Sequence, residues 1–554
     1  MFTVQHSHTA SIHYTLFLIL LGITVVMLFL APPVGHDALH WSYRIGSFAD
    51  NIKLFGIHAF PEGISVTSYN GYGYGAPLFY GNIGIIIPSI LRALGLSVSF
   101  CYSFAFASLF LLRAGIAYYC GKDAVSVSCG ILFAVLYSYS PYMLELIFVR
   151  SALGELCASC FLPLVFWAFY KILTHRGDSY TSGLQLAVGM WGIICSHVLS
   201  TILVVLFLLV WFISFLPRMH SKLSITKSLV VTAVGTFVLS AYWLLPFLEQ
   251  YTSQPIQGGG TTLNDFISNR LSLLDWFVPY IAQYVLFMQR GNGNVSYYPS
   301  GIFYLILLVG MLIITLHHSG SKLPVIFFCL SACILLAVTC SPIVTGLGIA
   351  LKSLQFPWRL LAYANLFCVV AIVFMLHRNR CSKVLTSAVV LCFLVLAVCS
   401  IGYQEKLWIG FSLSGENHIV YSVNNGDSIY LPAESPDDLY LSRGECVTCT
   451  SPDIDFEWQR NADFSITIRY SNLHSPASFE LPLYYYKGYQ NSSATLCSIT
   501  KSQSGLVLVT PEQECGELTI SYQRTTLQIL SAILSCCAWI AMFTILKLKR
   551  STKK

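Results

Sequence analysis

The chain has 554 residues, of which 55% are hydrophobic and only 10% charged, and its mean hydropathy is +0.67. A soluble domain carries roughly 25% charged residues, so this deficit excludes an ordinary water-soluble globule and leaves lipid as the main solvent. The formal charge of +6 does not point to nucleic acid, because Lys and Arg stand in short clusters between apolar runs.

A bilayer crossing needs about 20 mostly apolar residues. In chain order the candidate runs are 12–31, 78–95, 99–119, 124–140, 155–173, 182–216, 228–248, 301–317, 322–340, 357–377, 384–401 and 527–546. The first run lacks a basic leader and a small-residue cleavage site, and reads as a retained span. Lys171/Arg176, Arg218/Lys222/Lys227, Lys322, Arg378/Arg380/Lys383 and the Lys547–Lys554 tail are expected in the cytoplasm. Run 182–216 then has cytoplasmic charge at both ends and must cross twice, turning near Ser196-His197. Run 78–95 holds Gly81, Gly84, Pro88, Arg92 and Gly95, which suits a helix lying at the interface better than a crossing.

The resulting expectation is an all-α polytopic transmembrane bundle of about 12 helices in the cell membrane, with both termini cytoplasmic. A transmembrane domain covers 1–401, with a first outer loop at 32–98 and a second at 249–300. Residues 402–525 form an extracytoplasmic β-rich domain, and 526–554 the last helix and a basic tail. The 402–525 segment carries fifteen Asp and Glu against seven Lys and Arg. Strand-like alternation at His418–Val423, Phe464–Tyr470, Ala477–Tyr486, Leu506–Thr510 and Glu517–Gln523 reads as a β-sandwich. The Gly-rich 249–300 loop, with Gln257–Gly260 and Gly291–Asn294, reads as a lid.

Fifteen of the 19 cysteines lie in or beside apolar runs, where a thiol acts as a small hydrophobe. Cys446, Cys449, Cys497 and Cys515 fall in the polar region and admit two disulfides or plain thiols, in preference to a metal.

Candidate chemistry concentrates at the expected outer surface. Asp37 follows the first span by a few residues, flanked by His36 and His40; it could serve as a base, bind a divalent cation with the two histidines, or simply cap the helix starting at Ala38. Tyr72 and Tyr74, in a segment alternating Gly and Tyr, offer either faces for a sugar ring or an interfacial aromatic belt. Glu145, Arg150 and Glu155 occupy the stretch between two spans, where Arg150 could hold phosphate or pair with a Glu. His197, Glu249, Gln355 and Arg359 complete the set, and Arg359 just inside a span needs an anionic partner.

On the Asp37 loop, Tyr72–Tyr80, Pro141–Glu155, His197, Tyr242–Pro246, Gln355–Arg359 and Leu481–Tyr489, the chain resembles the C-type (GT-C) superfamily of membrane glycosyltransferases. Within it, the chain resembles bacterial multispanning proteins labelled 6-pyruvoyl-tetrahydropterin-synthase-related. The resemblance implies a polyprenyl-phosphate sugar donor and an extracytoplasmic glycan, lipid or protein acceptor. It implies Asp37 as the catalytic carboxylate, and Arg150 and Arg359 as groups neutralising the leaving phosphate. Asp37 is not in a D-x-D pair, so a metal is not implied. A lipid-linked glycan flippase is an alternative and predicts charges deep in several spans, where the sequence places few. A non-catalytic scaffold for envelope assembly is a second alternative.

Overall fold

The computed structural model describes residues 2–218, 222–258, 262–268, 270, 322–351, 354–378, 386–387, 389–391, 394–395, 428–451, 454–471 and 477–551. The expected span 301–317, most of 384–401, strand His418–Val423 and the greater part of the 249–300 loop lie outside them.

Six described helices are long and apolar enough to cross a membrane, or up to eight if each of two bent pairs counts as one span. These six are Val98–Ala124, Leu153–Leu173, Val198–Phe215, Lys222–Ser253, Pro357–His377 and Thr526–Leu548. The chain is therefore a multi-pass membrane protein, and twelve crossings are not reached among the described residues. Run 124–140 holds the helix Val127–Ser138, and past it Tyr142–Phe148 is bent away by 51° across the Ser140-Pro141 step, where Pro cannot continue the helical ladder. Run 322–340 is followed by a second helix at 86°. Run 78–95 contains only the short helices Ala76–Phe79 and Ile86–Ala93, too short to cross. Run 182–216 breaks between Ile194 and Val198, where the double crossing required a turn.

The chain divides into two compact units that interleave in sequence. The first comprises 1–38, 102–232 and 261–419; the second comprises 39–101, 233–260 and 420–554. In the first, apolar helices pack through small residues. A side chain at Gly121 would meet the Cys129 carbonyl at 2.9 Å, and one at Gly130 the Tyr118 carbonyl at 2.7 Å. Such close backbone approach is how helices associate without a hydrophobic drive between them.

The second unit is built on eight strands: β1 Thr448–Cys449, β2 Asp455–Arg460, β3 Ile466–Ser471, β4 Phe479–Tyr484, β5 Tyr489–Asn491, β6 Cys497–Lys501, β7 Leu506–Pro511 and β8 Gly516–Tyr522. They form two antiparallel four-stranded sheets, ordered β1-β4-β7-β6 and β2-β3-β8-β5. Ile466, Ile468, Leu481, Leu506, Val509 and Ile520 are completely buried in the core the sheets share. Four of these strands are absent from the sequence expectation: β1, β5 and β6 are short, and β2 is charged.

The four polar-region thiols are all free. Cys449 on β1 and Cys497 on β6 sit at opposite edges of one sheet. Three strand spacings separate them, about 14 Å, twice the ~7 Å limit for a disulfide.

Candidate functional site

In the first unit the loop after the first helix is clamped to the stretch 149–151. The Gly35 N–H donates to Ser151 Oγ at 2.8 Å, the His36 N–H to the Val149 carbonyl at 3.3 Å, and the Asp37 N–H to the Arg150 carbonyl at 2.8 Å. Tyr102 donates its hydroxyl to the Pro33 carbonyl at 2.9 Å. Only glycine fits at 35, because an added Cβ would lie 2.5 Å from the Val149 oxygen and 2.6 Å from the Arg150 carbonyl carbon. Those are backbone atoms and cannot swing aside. A helix begins at Ala38, so Asp37 also stands at its N-terminus, half-buried.

The segment that clamps Asp37 carries an ionic cluster. Glu155, 4% exposed, accepts from Arg150 Nη1 at 2.8 Å on Oε2 and from the Tyr142 hydroxyl at 2.5 Å on Oε1. Arg359 Nε approaches the same Oε2 at 3.7 Å. One carboxylate thus faces two guanidiniums, each under a tenth exposed. The planar fork of Arg359 is fixed by three further contacts. It donates to the Leu354 carbonyl at 2.9 Å and to Gln355 Oε1 at 3.0 Å, and it lies over the Phe356 ring at 5.3 Å. Gln355 adopts φ +66°, a left-handed conformation that a non-glycine side chain seldom takes.

Glu145 is 1% exposed, and neither carboxylate oxygen has a hydrogen-bond partner among the described residues. His197, 4% exposed, caps the helix Val198–Phe215 by accepting the Ser200 N–H on Nδ1 at 3.2 Å. Protein packed around His36 lowers its pKa, an effect that Asp37 opposes and the Arg150 charge reinforces. The first unit therefore brings together Asp37, Arg150, Glu155, Gln355 and Arg359 through named bonds or by chain adjacency to them. Tyr142, Ser151 and Tyr102 are participants the sequence did not single out; Tyr142 lies inside a quoted stretch but carries no charge to draw attention.

The remaining candidates belong to the second unit. Tyr72 and Tyr74 are not exposed faces: they are 0% and 2% exposed, and their rings pack into the β core. Tyr72 donates to the Gly444 carbonyl at 2.6 Å and accepts the Tyr484 N–H on its carbonyl at 2.8 Å. Glu249 is tied to Lys487 Nζ at 3.2 Å and accepts from Thr525 Oγ1 at 2.7 Å, which joins its helix to the β-domain. His40 packs edge-on against Trp41 and Tyr80, with ring centroids 5.1 and 6.2 Å apart. Among the described residues no three His, Cys, Asp or Glu side chains gather to hold a metal ion. Three buried charges escaped the sequence reading: Arg44, Glu62 and Arg113. Glu62, 7% exposed, accepts from Asn82 Nδ2 at 3.4 Å; burial pushes its pKa up to about 7, while Arg44, Asn82 and Ser65 pull the other way. Arg113 is fully buried midway along Val98–Ala124 and donates to the Ser138 carbonyl at 3.1 Å, the kind of deep charge the sequence had shown to be scarce.

No family model matches the chain. It is similar to an uncharacterized protein of Lactococcus lactis subsp. cremoris (strain MG1363), 26% identical over 196 residues, which is 33% of this chain and 31% of that protein. Among solved structures it is similar to the arabinofuranosyltransferase AftD from Mycobacteria, at a TM-score of 0.43 and 13% identity. That likeness covers 72% of this chain and 27% of AftD. It is also similar to ArnT from Cupriavidus metallidurans, solved bound to undecaprenyl phosphate, at a TM-score of 0.30 and 14% identity over 65% of this chain and 77% of ArnT. The chain spans less than a third of the Lactococcus protein and about a quarter of AftD. The 6-pyruvoyl-tetrahydropterin-synthase-related label has no counterpart among these matches.

Proposed function

We propose that the chain is an integral membrane glycosyltransferase that moves a sugar from a polyprenyl-phosphate donor to an extracytoplasmic acceptor. The observation that carries this reading is the Asp37 loop, bonded through its backbone to the segment bearing Arg150 and Glu155. It fixes a half-buried carboxylate on a backbone bonded directly to that of Arg150, whose guanidinium shares Glu155 with Arg359.

In this reading Asp37 accepts the proton of the acceptor hydroxyl, and that oxygen attacks the anomeric carbon of the donor. The bond from that carbon to the phosphate oxygen breaks, and the departing phosphate gains negative charge. Arg150 and Arg359 stabilise that charge, which a fixed guanidinium does best in a site shielded from water. Glu155 has a positioning role: its carboxylate holds both guanidiniums in place before substrate arrives. His36, beside Asp37, and the Glu145 carboxylate, which no described residue hydrogen-bonds, are available to donate to or accept from substrate hydroxyls. A divalent cation is not required by this scheme. The expected topology, with both termini cytoplasmic, sets the Asp37 loop on the outer side.

The test is transfer of label from a radiolabelled polyprenyl-phosphate sugar in membranes bearing wild-type, Asp37→Asn or Asp37→Ala protein. Activity in wild type and its loss in both variants is expected; full activity in both would remove Asp37 from the chemistry. Labelled lipid crossing the bilayer unconsumed would replace transfer with a flippase.

A further inference from the structure

The second unit contains a cavity of about 240 Å³ in which the first loop meets the β-domain. We propose that it is a binding site for one ring of a neutral saccharide. Its walls are aromatic, from Phe55, Phe464, Tyr489 and Tyr522, while Asp463 and Gln523 lie at its exposed side. Ser465 and Ser521 add hydroxyls and Asp463 the one carboxylate of the lining, while the Arg460 guanidinium stands beside the wall and donates to the Gly71 carbonyl at 2.7 Å.

Three features mark this space as built. The Tyr489 ring is 8% exposed, yet its hydroxyl has no hydrogen-bond partner among the described residues. A buried hydroxyl left unpaired is costly, and such groups usually await water or a ligand. That hydroxyl faces Gly73, another wall residue: a Cβ there would come within 3.5 Å of it. Gly71 and Gly73 both adopt left-handed φ, +85° and +84°, so any side chain at either position would be strained as well as intrusive. Phe464 also takes φ +66°, a strained conformation that holds its ring at the wall, where a Cβ on Gly71 would lie 2.9 Å from its Cδ1.

The chemistry selects the ligand class. Apolar walls carrying a few placed polar groups are the usual form of a small-molecule site. The volume is below the ~300–1,000 Å³ of drug-sized pockets, about eight waters at ~30 Å³ each, which suits a single ring. A sugar presents C–H faces to aromatic rings and O–H groups at its edge, matching these walls and the Tyr489, Asp463 and Gln523 side chains. The Asp463 carboxylate, which already accepts from Ser465 Oγ at 2.6 Å through Oδ1, would repel a phosphate or an acidic sugar. Use of this pocket to hold a sugar of the acceptor rests on the transferase reading; binding itself does not.

Binding of methyl glycosides of glucose, galactose, mannose and arabinose to the full-length protein in detergent, read by saturation-transfer NMR, tests the inference. Inorganic phosphate and uridine serve as comparison probes. Wild type is expected to bind at least one glycoside at millimolar concentration. Tyr489→Phe and Gln523→Ala should each weaken it by about 5- to 10-fold, with an unchanged melting temperature showing that the fold is kept. Asp37→Ala should bind as wild type does, so loss of transfer without loss of binding separates failure of the catalytic reading from failure of this one. No glycoside bound by wild type, a response to phosphate or uridine alone, or affinity unchanged in both Tyr489→Phe and Gln523→Ala would overturn it.

Discussion

The Asp37 loop and the Tyr69–Tyr80 segment looked alike in sequence: both are polar, glycine-bearing stretches near the first span. They end differently. The Asp37 loop is fixed by backbone hydrogen bonds to 149–151 and leaves its carboxylate half-exposed. The tyrosine segment is swallowed: Tyr72 and Tyr74 become core and pair with Tyr484 and Tyr430 rings. A loop keeps functional side chains available when backbone bonds pin it, and surrenders them when ring burial pins it. At roughly 25 cal/mol per Å² of apolar surface, two tyrosines give more stabilisation as core than as a platform in water.

The largest expected effect falls on the first loop. Asp37→Ala should lower transfer by ~10²–10⁴-fold, the range for a general base, with melting temperature preserved, as transfer assays and a thermal scan would show. Gly35→Ala comes next: with no room beside Val149 and Arg150, the loop must move, and transfer should fall while the donor still binds. Wild-type transfer in that variant would mean the clamp does not position Asp37. Glu155→Leu removes the carboxylate between two buried guanidiniums, and leaving such charges unpaired costs ~3–5 kcal/mol; thermal unfolding in detergent should show it.

The smaller effects belong to the tyrosine segment and its neighbours. Tyr72→Phe deletes the hydroxyl that bonds Gly444 and lies beside Arg443, and should cost about 0.5–1.5 kcal/mol with transfer unchanged; a transfer defect at constant stability would restore Tyr72 as a contact residue. Glu62 offers a pH signature. Burial raises its pKa from 4.5 to about 7, so the folded state holds the proton that the unfolded state gives up. Stability of the second unit should therefore fall as pH rises from 4.5 to 7, and Glu62→Gln should flatten that slope in melting curves taken across this window.

Helix placement was largely legible, because a bilayer demands long apolar runs and tolerates few charges. The turn at Ser196-His197 followed from charge at both ends of a run too long for one crossing, and the weakness of run 78–95 followed from its Gly and Pro content. The sheets were legible only where β-branched residues alternate, as in Ile466–Ser471. β2, Asp-Phe-Glu-Trp-Gln-Arg, alternates exposed with half-buried side chains yet hides behind its charges. Of the site, the charged members Asp37, Arg150, Glu155 and Arg359 could be named, and a pairing of Arg150 with a Glu was one reading, but not that Arg359 shares the same Glu155.

The sequence by itself determined that this is a multi-pass membrane protein with a β-rich segment before its last helix, because hydropathy and period are local properties. Only the tertiary structure decided that Glu155 is shared by two arginines more than two hundred residues apart, that the Asp37 loop rests on 149–151, and that Tyr72 is core. Those outcomes depend on which distant segments meet, and a single chain read in order carries no record of that.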